Sequence, residues 1–317
     1  MSRFDRNTNA LEVAATAELH GRFVIVTGAS SGIGRETARA MAATGADVLL
    51  GVRDVAKGEQ IARAIRPTVR GSVEVAELDL TDLGSVRAFA AAVTGPVDML
   101  INNAGLSQTP QSHLPNGIDV RFATNHLGHF YLATLLLDRM CERGARLVVL
   151  SSGAHKGNPV NLDDLTWRTR QHSAGLAYAE SKTANLLFAQ EASRRWAHLG
   201  VFANAVLPGS SLTGLQRNHT PEMMRRIGFL AADGTPDPVM KTPEQAAATS
   251  IWAAVAPELA GRGGLVLEDC AIARPLGPDS HPWSDYDASV SSPEVAPRLW
   301  EATEAIIAEL LNPARPS

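Results

Sequence analysis

The feature that most constrains the fold of this chain is the segment FVIVTGASSGIGRETA at residues 23–38, in which an apolar run leads through a glycine-rich turn into a helix-like stretch. Two kinds of site fit this turn. Residues 28–32, GASSG, match the G-x-S-x-G turn that presents a nucleophilic serine, here Ser30. Residues 27–34, TGASSGIG, match a turn that seats a phosphate group on the N-terminus of a helix.

Apolar runs alternate with helix-like stretches along the chain. The runs are apolar almost throughout, which is typical of strands covered on both faces. Strand–helix alternation favours parallel pairing through right-handed crossovers. The pattern predicts an α/β fold with a Rossmann-like, doubly wound parallel β-sheet of about seven strands and helices on both faces. The predicted strands are 23–26, 46–52, 72–80, 97–105, 145–152, 201–209 and 263–267, and the predicted helices are 33–44, 56–66, 83–93, 117–141, 178–199 and 243–256.

We interpret residues 1–317 as a single domain with three less regular segments. Residues 1–20 form an N-terminal extension, and residues 210–242 form a long connection after the sixth strand. Residues 274–317 form a tail that ends in an amphipathic helix. The apolar side chains of that helix recur at helical spacing, which predicts packing against the domain. These side chains are Leu299, Trp300, Ile306, Ile307 and Leu310.

Composition argues against several classes of protein. The net charge is −4, which does not indicate a nucleic-acid partner. Cys141 and Cys270 are the two cysteines and lie far apart in sequence, so we predict neither a disulfide framework nor a structural zinc site. No apolar run approaches the roughly 18 residues of a membrane-spanning helix. We therefore expect a cytoplasmic protein without a membrane span.

The position of the glycine turn favours the nucleotide interpretation. A nucleophilic serine needs a histidine and an acid, and its turn belongs to a sheet already built, whereas this turn follows the first strand. For a nucleotide, Gly28 would allow the tight turn, Gly32 close approach of a pyrophosphate, and Gly34 close helix–strand packing. We expect Thr27 to hydrogen-bond within the turn. The spacing is G-x-x-x-G-x-G, and no P-loop lysine follows it.

The end of the second strand, LLGVRD, bears on the choice of dinucleotide. An acid at this place binds the ribose 2′-hydroxyl of NAD, whereas an arginine accommodates a 2′-phosphate. Arg53 precedes Asp54, and a guanidinium suits phosphate, so NADP(H) is favoured over NAD(H). Alternatively, Arg53 is solvated and Asp54 caps the next helix. Asp79 either accepts a hydrogen bond from the adenine amino group or caps the helix that begins near Thr81.

Tyr178 and Lys182, in YAESK, lie four residues apart and would share one face of a helix. A phenol with a pKa of about 10 is a poor acid–base group at neutral pH. At about 4 Å and an effective dielectric constant of about 20, an ammonium would favour the phenolate by about 4 kcal/mol, enough to bring the pKa towards neutrality. The alternative is an ordinary exposed pair on an amphipathic helix.

Other polar residues fall at strand ends or inside helices. Ser151 and Ser152 end the fifth strand, where a hydroxyl can polarise a substrate carbonyl. Asn125 lies in the fourth predicted helix, where an amide is not favoured, so it either serves a water-mediated proton path or is a satisfied interior hydrogen bonder. His126 and His129 are three residues apart, but without a further ligand we predict polar or packing contacts and no metal site.

Taken together, these residues resemble the short-chain dehydrogenase/reductase (SDR) family. The resemblance rests on TGASSGIG (27–34), NNAG (102–105), Asn125, Ser152, Y-x-x-x-K (178–182) and PGSSLT (208–213), which occur in the family's order. Finer features resemble the retinol dehydrogenase-like branch of that family, namely GVRDVAKGE, NGIDVRFATNHLGHF, SSGAH, YAESKTANLLFAQE and RLWEATE.

The resemblance implies roles for the matching residues. Tyr178 would be the general acid–base, and Lys182 would lower its pKa and bind the nicotinamide ribose. Ser152 would orient the substrate oxygen, and Asn125 would support a water-linked proton relay. The implied cofactor-binding residues are Thr27, Gly28, Ser30, Ser31, Gly32, Ile33, Gly34, Arg53, Asp79, Leu80, Asn103, Ala104, Gly105, Tyr178, Lys182, Pro208, Gly209 and Thr213.

The implied activity is an NADP(H)-dependent oxidoreductase that interconverts a ketone or aldehyde and its alcohol by hydride transfer on a small-molecule substrate. Two alternatives stay open, a non-catalytic NADP(H)-binding regulatory protein and a serine hydrolase that uses Ser30.

The resemblance also implies a substrate lid at residues 210–242 and leaves open a homodimer through the fourth and fifth helices. The apolar side chains of the lid would either line a pocket or pack the lid down; they are Met223, Met224, Ile227, Phe229 and Leu230. A stripe on the fifth helix fits either a dimer interface or the core; it consists of Ala184, Leu187, Phe188 and Glu191.

Overall fold

The computed structural model of the chain describes residues 3–216, 218–280, 284–292 and 294–312, in which eight strands alternate with helices. The strands are β1 (Phe23–Thr27), β2 (Asp47–Val52), β3 (Val73–Glu77), β4 (Met99–Asn102), β5 (Ala145–Leu150), β6 (Val201–Leu207), β7 (Val266–Glu268) and β8 (Ala271–Ile272). The helices are α1 (Ala10–Ala14), α2 (Gly32–Ala43), α3 (Val55–Ile65), α4 (Leu83–Ala92), α5 (Val120–Phe122), α6 (Gly128–Leu135), α7 (Leu137–Cys141), α8 (Ala174–Trp196), α9 (Pro221–Arg226), α10 (Pro243–Val255) and α11 (Val295–Leu311).

The strands form one sheet in the order β3-β2-β1-β4-β5-β6-β7-β8. Every neighbouring pair from β3 to β7 is parallel, and only β8 runs antiparallel to its neighbour. The winding reverses between β1 and β4, which is the place where doubly wound sheets bind their ligands. The predicted Rossmann-like α/β fold is confirmed, with eight strands in place of about seven.

The extra strand, β8, is two residues long and exposed. It follows β7 through Asp269 and Cys270, whose φ values of 50° and 55° are left-handed. Two-residue hairpin turns of this kind favour Asn or Gly because other side chains strain the backbone there. The sequence lacks that signal, which is why β8 was not predicted.

Neighbouring residues of β1 pack on opposite faces of the sheet. Val24 and Val26 belong to the core under α1, α2, α3 and α10, whereas Ile25 belongs to the core under α4, α6, α8 and α11. A strand buried on both faces needs apolar residues at every position, which accounts for the continuous apolar runs in the sequence.

The helix predicted at 117–141 is interrupted in the structure. It begins later, at α5, because the Asp119 carboxylate accepts the first free backbone N–H groups. Between α5 and α6 the chain makes a π-helical turn, Ala123–Leu127, which contains Asn125. Such turns are rare and occur mostly at functional sites.

The helix predicted at 178–199 begins one turn earlier than expected. Ser173 caps α8 by accepting a hydrogen bond from the Leu176 backbone N–H, so the helix starts at Ala174. This start places Tyr178 in the second turn of α8, where the helix is fully formed. Tyr178 and Lys182 therefore lie one turn apart on α8, as the Y-x-x-x-K spacing predicts.

The N-terminal extension is part of the domain and contains a helix that was not predicted. Asn9 and Glu12 form a capping box at the start of α1. Ala10, Val13 and Ala14 are buried, and α1 packs on α2 and α10. Residues up to at least Ala14 therefore contribute to the same core as β1 and β2.

The C-terminal helix α11 packs on α8, as its apolar spacing predicts. The ring of Trp300 lies 4.6 Å from that of Phe130 and 5.3 Å from that of Trp196, measured between centroids. The predicted stripe on α8 is buried within the single chain. That stripe is therefore part of the core and is not free to contact a second subunit.

A search of the described helices finds none that combines the length and the apolar character required to cross a membrane.

Candidate active site

A cleft of about 530 Å³ opens where the carboxyl ends of the parallel strands meet. This volume lies within the usual range for small-molecule sites. Every predicted cofactor-binding residue except Thr27 and Gly209 lines it. Thr27 is buried beneath the cleft, and Gly209 lines a neighbouring cavity beside Lys241.

The glycine turn has the close contacts that its sequence predicts. Gly28 has a φ of 68°, and an added Cβ would lie 2.7 Å from the Cα of Ala104. An added Cβ at Gly34 would lie 2.6 Å from the carbonyl oxygen of Gly28, so α2 reaches the strand only because Gly34 lacks a side chain. Ser31 precedes α2 and makes no side-chain capping bond. The first backbone N–H groups of α2 therefore remain available to an anionic ligand.

The Thr27 hydroxyl joins the turn to β4 and does not hydrogen-bond within the turn, which corrects the prediction. Its oxygen accepts hydrogen bonds from the backbone N–H of Asn103, at 2.9 Å, and of Ala104, at 3.0 Å. The Asn103 side chain donates in return to the Thr27 carbonyl oxygen, at 2.7 Å. These bonds fix the end of β4 against the glycine turn.

Arg53 lies at the end of β2, exposed and in the cleft wall. Asp54 caps α3, and its carboxylate accepts a hydrogen bond from the Lys57 backbone N–H at 3.0 Å. Arg53 forms no ion pair with any residue that the structure describes, and Lys57 also lines the cleft. The end of β2 and the start of α3 thus offer two cations, while the neighbouring acid, Asp54, is occupied in capping.

Asp79 lines the cleft but does not cap a helix. Its carboxylate accepts hydrogen bonds from the Thr81 backbone N–H, at 2.9 Å, and from the Thr81 hydroxyl, at 2.7 Å. The residue that caps α4 is Asp82. Of the two alternatives for Asp79, helix capping is therefore wrong, because the helix starts one residue after Asp82.

Tyr178 and Lys182 line the part of the cleft that we call its inner end, and Ser152, which does not itself line the cleft, hydrogen-bonds to Tyr178. Burial raises the pKa of Tyr178, and a hydrogen bond with Ser152 partly opposes that rise. Burial lowers the pKa of Lys182 to about 8. The Lys182 ammonium donates to the Leu150 carbonyl oxygen at 3.1 Å and lies 5.8 Å from the centre of the Tyr178 ring. At that distance burial outweighs the charge, so the expected fall in the pKa of Tyr178 does not occur in this state.

Ser151 and Ser152 differ in their surroundings. Ser151 is buried, and its hydroxyl donates to the Lys182 carbonyl oxygen at 2.7 Å, so it braces β5 against α8. The Ser152 hydroxyl is half-buried and accepts a hydrogen bond from the Ala154 backbone N–H at 3.2 Å. Ser152 is thus the one that faces Tyr178.

Asn125 is buried, and its side-chain amide is fully bonded. The amide nitrogen donates to the Leu106 carbonyl oxygen, at 3.0 Å, and to the Ser181 hydroxyl, at 2.9 Å. Its oxygen accepts from the Leu106 backbone N–H at 2.7 Å. The side chain is therefore a satisfied interior hydrogen bonder that holds the segment after β4, and the water-mediated proton path stays a prediction.

The two histidines of the predicted fourth helix have separate partners. His126 bonds to the Thr303 hydroxyl on α11, at 3.1 Å, whereas His129 bonds to Thr27 and to the Asn125 carbonyl oxygen. No group of three or more candidate metal ligands occurs among the described residues.

Ser30 lines the cleft, and the structure gives it no hydrogen bond to a histidine in the described parts of the chain.

The predicted lid, residues 210–242, is closed at its base, where the Lys241 backbone N–H donates to the Ser210 carbonyl oxygen at 2.8 Å and the Lys241 side chain pairs with Asp269. Of the five apolar side chains predicted to line a pocket or pack the lid down, Met224 is buried, the other four are half-buried, and none lines the cleft, whereas Leu215 of the same segment does.

Sequence reasoning missed several residues of the cleft. Lys57 and Thr81 follow strand ends, as Arg53 and Asp79 do, and that position was the available signal. Thr124 also lines the cleft, and its hydroxyl is buried without a partner among the described residues. Buried polar groups are normally hydrogen-bonded, and a polar ligand in the cleft would supply the partner that this hydroxyl lacks.

The family described as short chain dehydrogenase matches residues 22–224, which include the glycine turn, Asn125, Ser152 and Tyr178. The chain belongs to the short-chain dehydrogenase family. Among its relatives, a Streptomyces lividans protein named "Probable oxidoreductase" is 43% identical over 90% of this chain and 97% of its own length. Human retinol dehydrogenase 13 is 38% identical over 92% of this chain and 86% of its own. This short-chain dehydrogenase thus belongs to the retinol dehydrogenase-like branch.

Solved structures agree with the fold of this short-chain dehydrogenase. An uncharacterized protein from Mycobacterium paratuberculosis is 36% identical, with a TM-score of 0.72 over 93% of this chain and 97% of that one. A Beutenbergia cavernae protein assigned as an NAD(P)-dependent gluconate 5-dehydrogenase, which contains NADP at low occupancy, is 27% identical, with a TM-score of 0.60 over 80% of this chain and 97% of that one.

Proposed function

We propose that this short-chain dehydrogenase is an NADP(H)-dependent oxidoreductase that interconverts a ketone or aldehyde and its alcohol. The observation that carries the proposal is that Tyr178, which hydrogen-bonds to Ser152, and Lys182 line the same cleft as the glycine turn. The proposed acid–base group, Tyr178, and the glycine turn, which suits a pyrophosphate, thus lie at the same edge of the sheet.

The bound nicotinamide would supply or accept the hydride. The chain's own residues would handle the proton and the oxygen. Tyr178 carries its proton because burial raises its pKa, so it is ready to donate to the oxygen of a carbonyl substrate. Ser152 bonds to Tyr178 and would orient the same oxygen. Lys182 would stabilise the phenolate left behind, since its charge lies on the adjacent turn of α8.

The preference for NADP(H) rests on Arg53 and Lys57. Arg53 directly follows β2 and Lys57 lies in the first turn of α3, and both are exposed and line the cleft. A 2′-phosphate carries negative charge that a guanidinium and an ammonium can pair with, whereas the ribose hydroxyl of NAD(H) would leave both cations without an anion. The Beutenbergia cavernae relative with NADP supports the same choice.

Replacing Tyr178 by Phe tests the proposed acid–base directly. We expect Tyr178→Phe to lower kcat for carbonyl reduction by about 10²- to 10⁴-fold, the usual contribution of general acid–base catalysis, while NADPH still binds. The measurement is NADPH oxidation with a panel of ketones and aldehydes, beside a fluorescence titration of NADPH. Tyr131→Phe removes the same hydroxyl from a tyrosine in α6 that does not line the cleft, and it should keep wild-type turnover.

Full turnover by Tyr178→Phe would overturn the mechanism. If the wild-type chain binds NADPH tightly and oxidises it with no member of the panel, the non-catalytic regulatory alternative replaces the enzyme.

A further inference from the structure

His129 is a wholly buried imidazole in α6 to which the proposed chemistry assigns no task. Both of its ring nitrogens have partners. Nδ1 lies 3.0 Å from the carbonyl oxygen of Asn125, and Nε2 lies 2.8 Å from the hydroxyl oxygen of Thr27. The ring thus touches the glycine turn on one side and the π-helical turn on the other.

The hydrogen bonds of the Thr27 hydroxyl determine which nitrogen of the His129 ring carries the hydrogen. The Thr27 oxygen already accepts two backbone N–H groups, from Asn103 and Ala104, and has one hydrogen to give. The Ile101 carbonyl oxygen is 3.4 Å away, whereas Nε2 of His129 is closer, so the hydroxyl donates to Nε2. Nε2 is therefore the acceptor, and Nδ1 carries the hydrogen that is donated to the backbone carbonyl oxygen of Asn125.

The ring remains in this form over a wide pH range. Burial lowers the pKa of His129 to about 3, and the positive charge of Lys182 acts in the same direction. A protonated ring would have no lone pair for the Thr27 hydroxyl. Because the neutral ring persists, both hydrogen bonds persist with it.

The two partners of His129, Thr27 and Asn125, hold opposite ends of the segment 103–106. Thr27 fixes the N–H groups of Asn103 and Ala104, and Asn125 holds Leu106 through its side chain. Residues 103–106 form one wall of the cleft. An added Cβ on Gly105 would lie 3.4 Å from the Lys182 nitrogen, so this wall continues to the inner end of the cleft.

We propose that His129 is a positioning residue, whose neutral ring ties the dinucleotide-binding turn to the π-helical turn and so sets the position of residues 103–106, the wall of the cleft that reaches Lys182. The inference rests on the proposed function. Its two halves are separable, because the bond to Thr27 serves the cofactor end of the wall and the bond to Asn125 serves the inner end.

Two substitutions divide these halves. The amide of Gln reaches the place of the imidazole Nε2, so His129→Gln can keep the Thr27 bond and loses the Asn125 bond. The amide of Asn reaches the place of Nδ1, so His129→Asn keeps the Asn125 bond and loses the Thr27 bond. His129→Asn leaves the Thr27 hydroxyl with only the longer contact of 3.4 Å to the Ile101 carbonyl oxygen, and His129→Gln removes the ring donor to the Asn125 carbonyl oxygen. The loss of one such buried hydrogen bond corresponds to about a tenfold effect on the step that depends on it.

The readouts are the NADPH dissociation constant, from fluorescence titration, and kcat at saturating NADPH. We expect His129→Asn to raise the dissociation constant about tenfold with kcat nearly unchanged, and His129→Gln to lower kcat about tenfold with the dissociation constant nearly unchanged. His126→Asn is the matched control, since it removes a second buried imidazole of the same region that bonds to α11 instead. It should lower the melting temperature and leave both constants at the wild-type value.

A third readout does not need turnover. Nitrogen-15 NMR of the histidine rings should show His129 with hydrogen on Nδ1 and none on Nε2. The inference is overturned if the Gln and Asn variants change the two constants alike, if both change only the melting temperature, or if the hydrogen lies on Nε2. If the wild-type chain shows no carbonyl turnover, the proposed function is contradicted but the role of His129 can still be tested. The NADPH dissociation constants of the wild-type chain and the two variants, together with the tautomer seen by NMR, then decide that role.

Discussion

At the scale of single residues, burial shifts the pKa values of Tyr178 and Lys182 in opposite directions, upward for the phenol and down to about 8 for the ammonium. Below pH 8 the phenol is therefore protonated and the lysine charged. That combination suits carbonyl reduction, in which Tyr178 gives up a proton and leaves a phenolate beside a positive charge. Alcohol oxidation needs the phenolate at the start, and it requires a higher pH.

The pH dependence of carbonyl reduction follows from the lowered pKa of Lys182. Lys182 is charged below a pH of about 8 and neutral above it, so we expect kcat for reduction to fall as the pH rises through about 8. Lys182→Arg keeps the charge to far higher pH, because the pKa of a guanidinium exceeds about 12. A kcat profile over this range should lose its alkaline limb in that variant. An unchanged limb, in a variant with wild-type circular dichroism, would assign the limb to another group.

At the scale of elements, α11 completes the core on the α8 side of the sheet. Trp300 contacts aromatic rings from α6 and α8, and Thr303 pairs with His126 within the π-helical turn. The tail helix therefore supports α8, which carries Tyr178, and the π-helical turn that contains Asn125, although it lines no part of the cleft.

Removing the Trp300 ring should destabilise the whole chain. Trp300 is 4% exposed, and truncating a buried tryptophan to alanine costs about 3–5 kcal/mol. We expect Trp300→Ala to show that loss in urea unfolding. Glu301→Ala, an exposed neighbour on the same helix, should cost less than about 0.5 kcal/mol. Equal losses in the two variants would mean that α11 does not pack as described.

At the scale of the whole molecule, the cleft gathers residues from Gly28 to Leu215, so a ligand bound there contacts most of the sheet. A ligand that binds only the folded state stabilises it by about 2.7 kcal/mol at about 100 times its dissociation constant. NADPH should therefore raise the melting temperature by roughly 5 °C, and NADH at the same concentration by much less.

The charge at Arg53 should account for that difference. We expect Arg53→Glu to abolish most of the NADPH shift and to leave the NADH shift intact, as measured by differential scanning fluorimetry. Arg63→Glu makes the same charge change on an exposed part of α3 that does not line the cleft. This variant should keep a larger melting-temperature shift with NADPH than with NADH, as in the wild-type chain. A larger shift with NADH in the wild-type chain would contradict the NADP(H) proposal.

The strands and most of the cleft could be predicted from sequence because both depend on local patterns. Strands buried on both faces are apolar throughout, and the residues that close them meet at one edge of the sheet. The remainder depends on contacts distant in sequence. The π-helical turn arises where Asn125 holds Leu106, β8 uses a turn without glycine, and Lys57 looks like any other exposed lysine until the fold brings it to the cleft.

The packing of α11 also gives the molecule an optical property. Trp196 and Trp300 come from helices a hundred residues apart, and their rings lie 5.3 Å from each other at an angle of 80°. Two indoles held so close by tertiary packing should contribute to the bands in near-ultraviolet circular dichroism. We expect this contribution to be lost when α11 separates from α8. Undocking of the tail helix could therefore be followed by spectroscopy on the unlabelled protein.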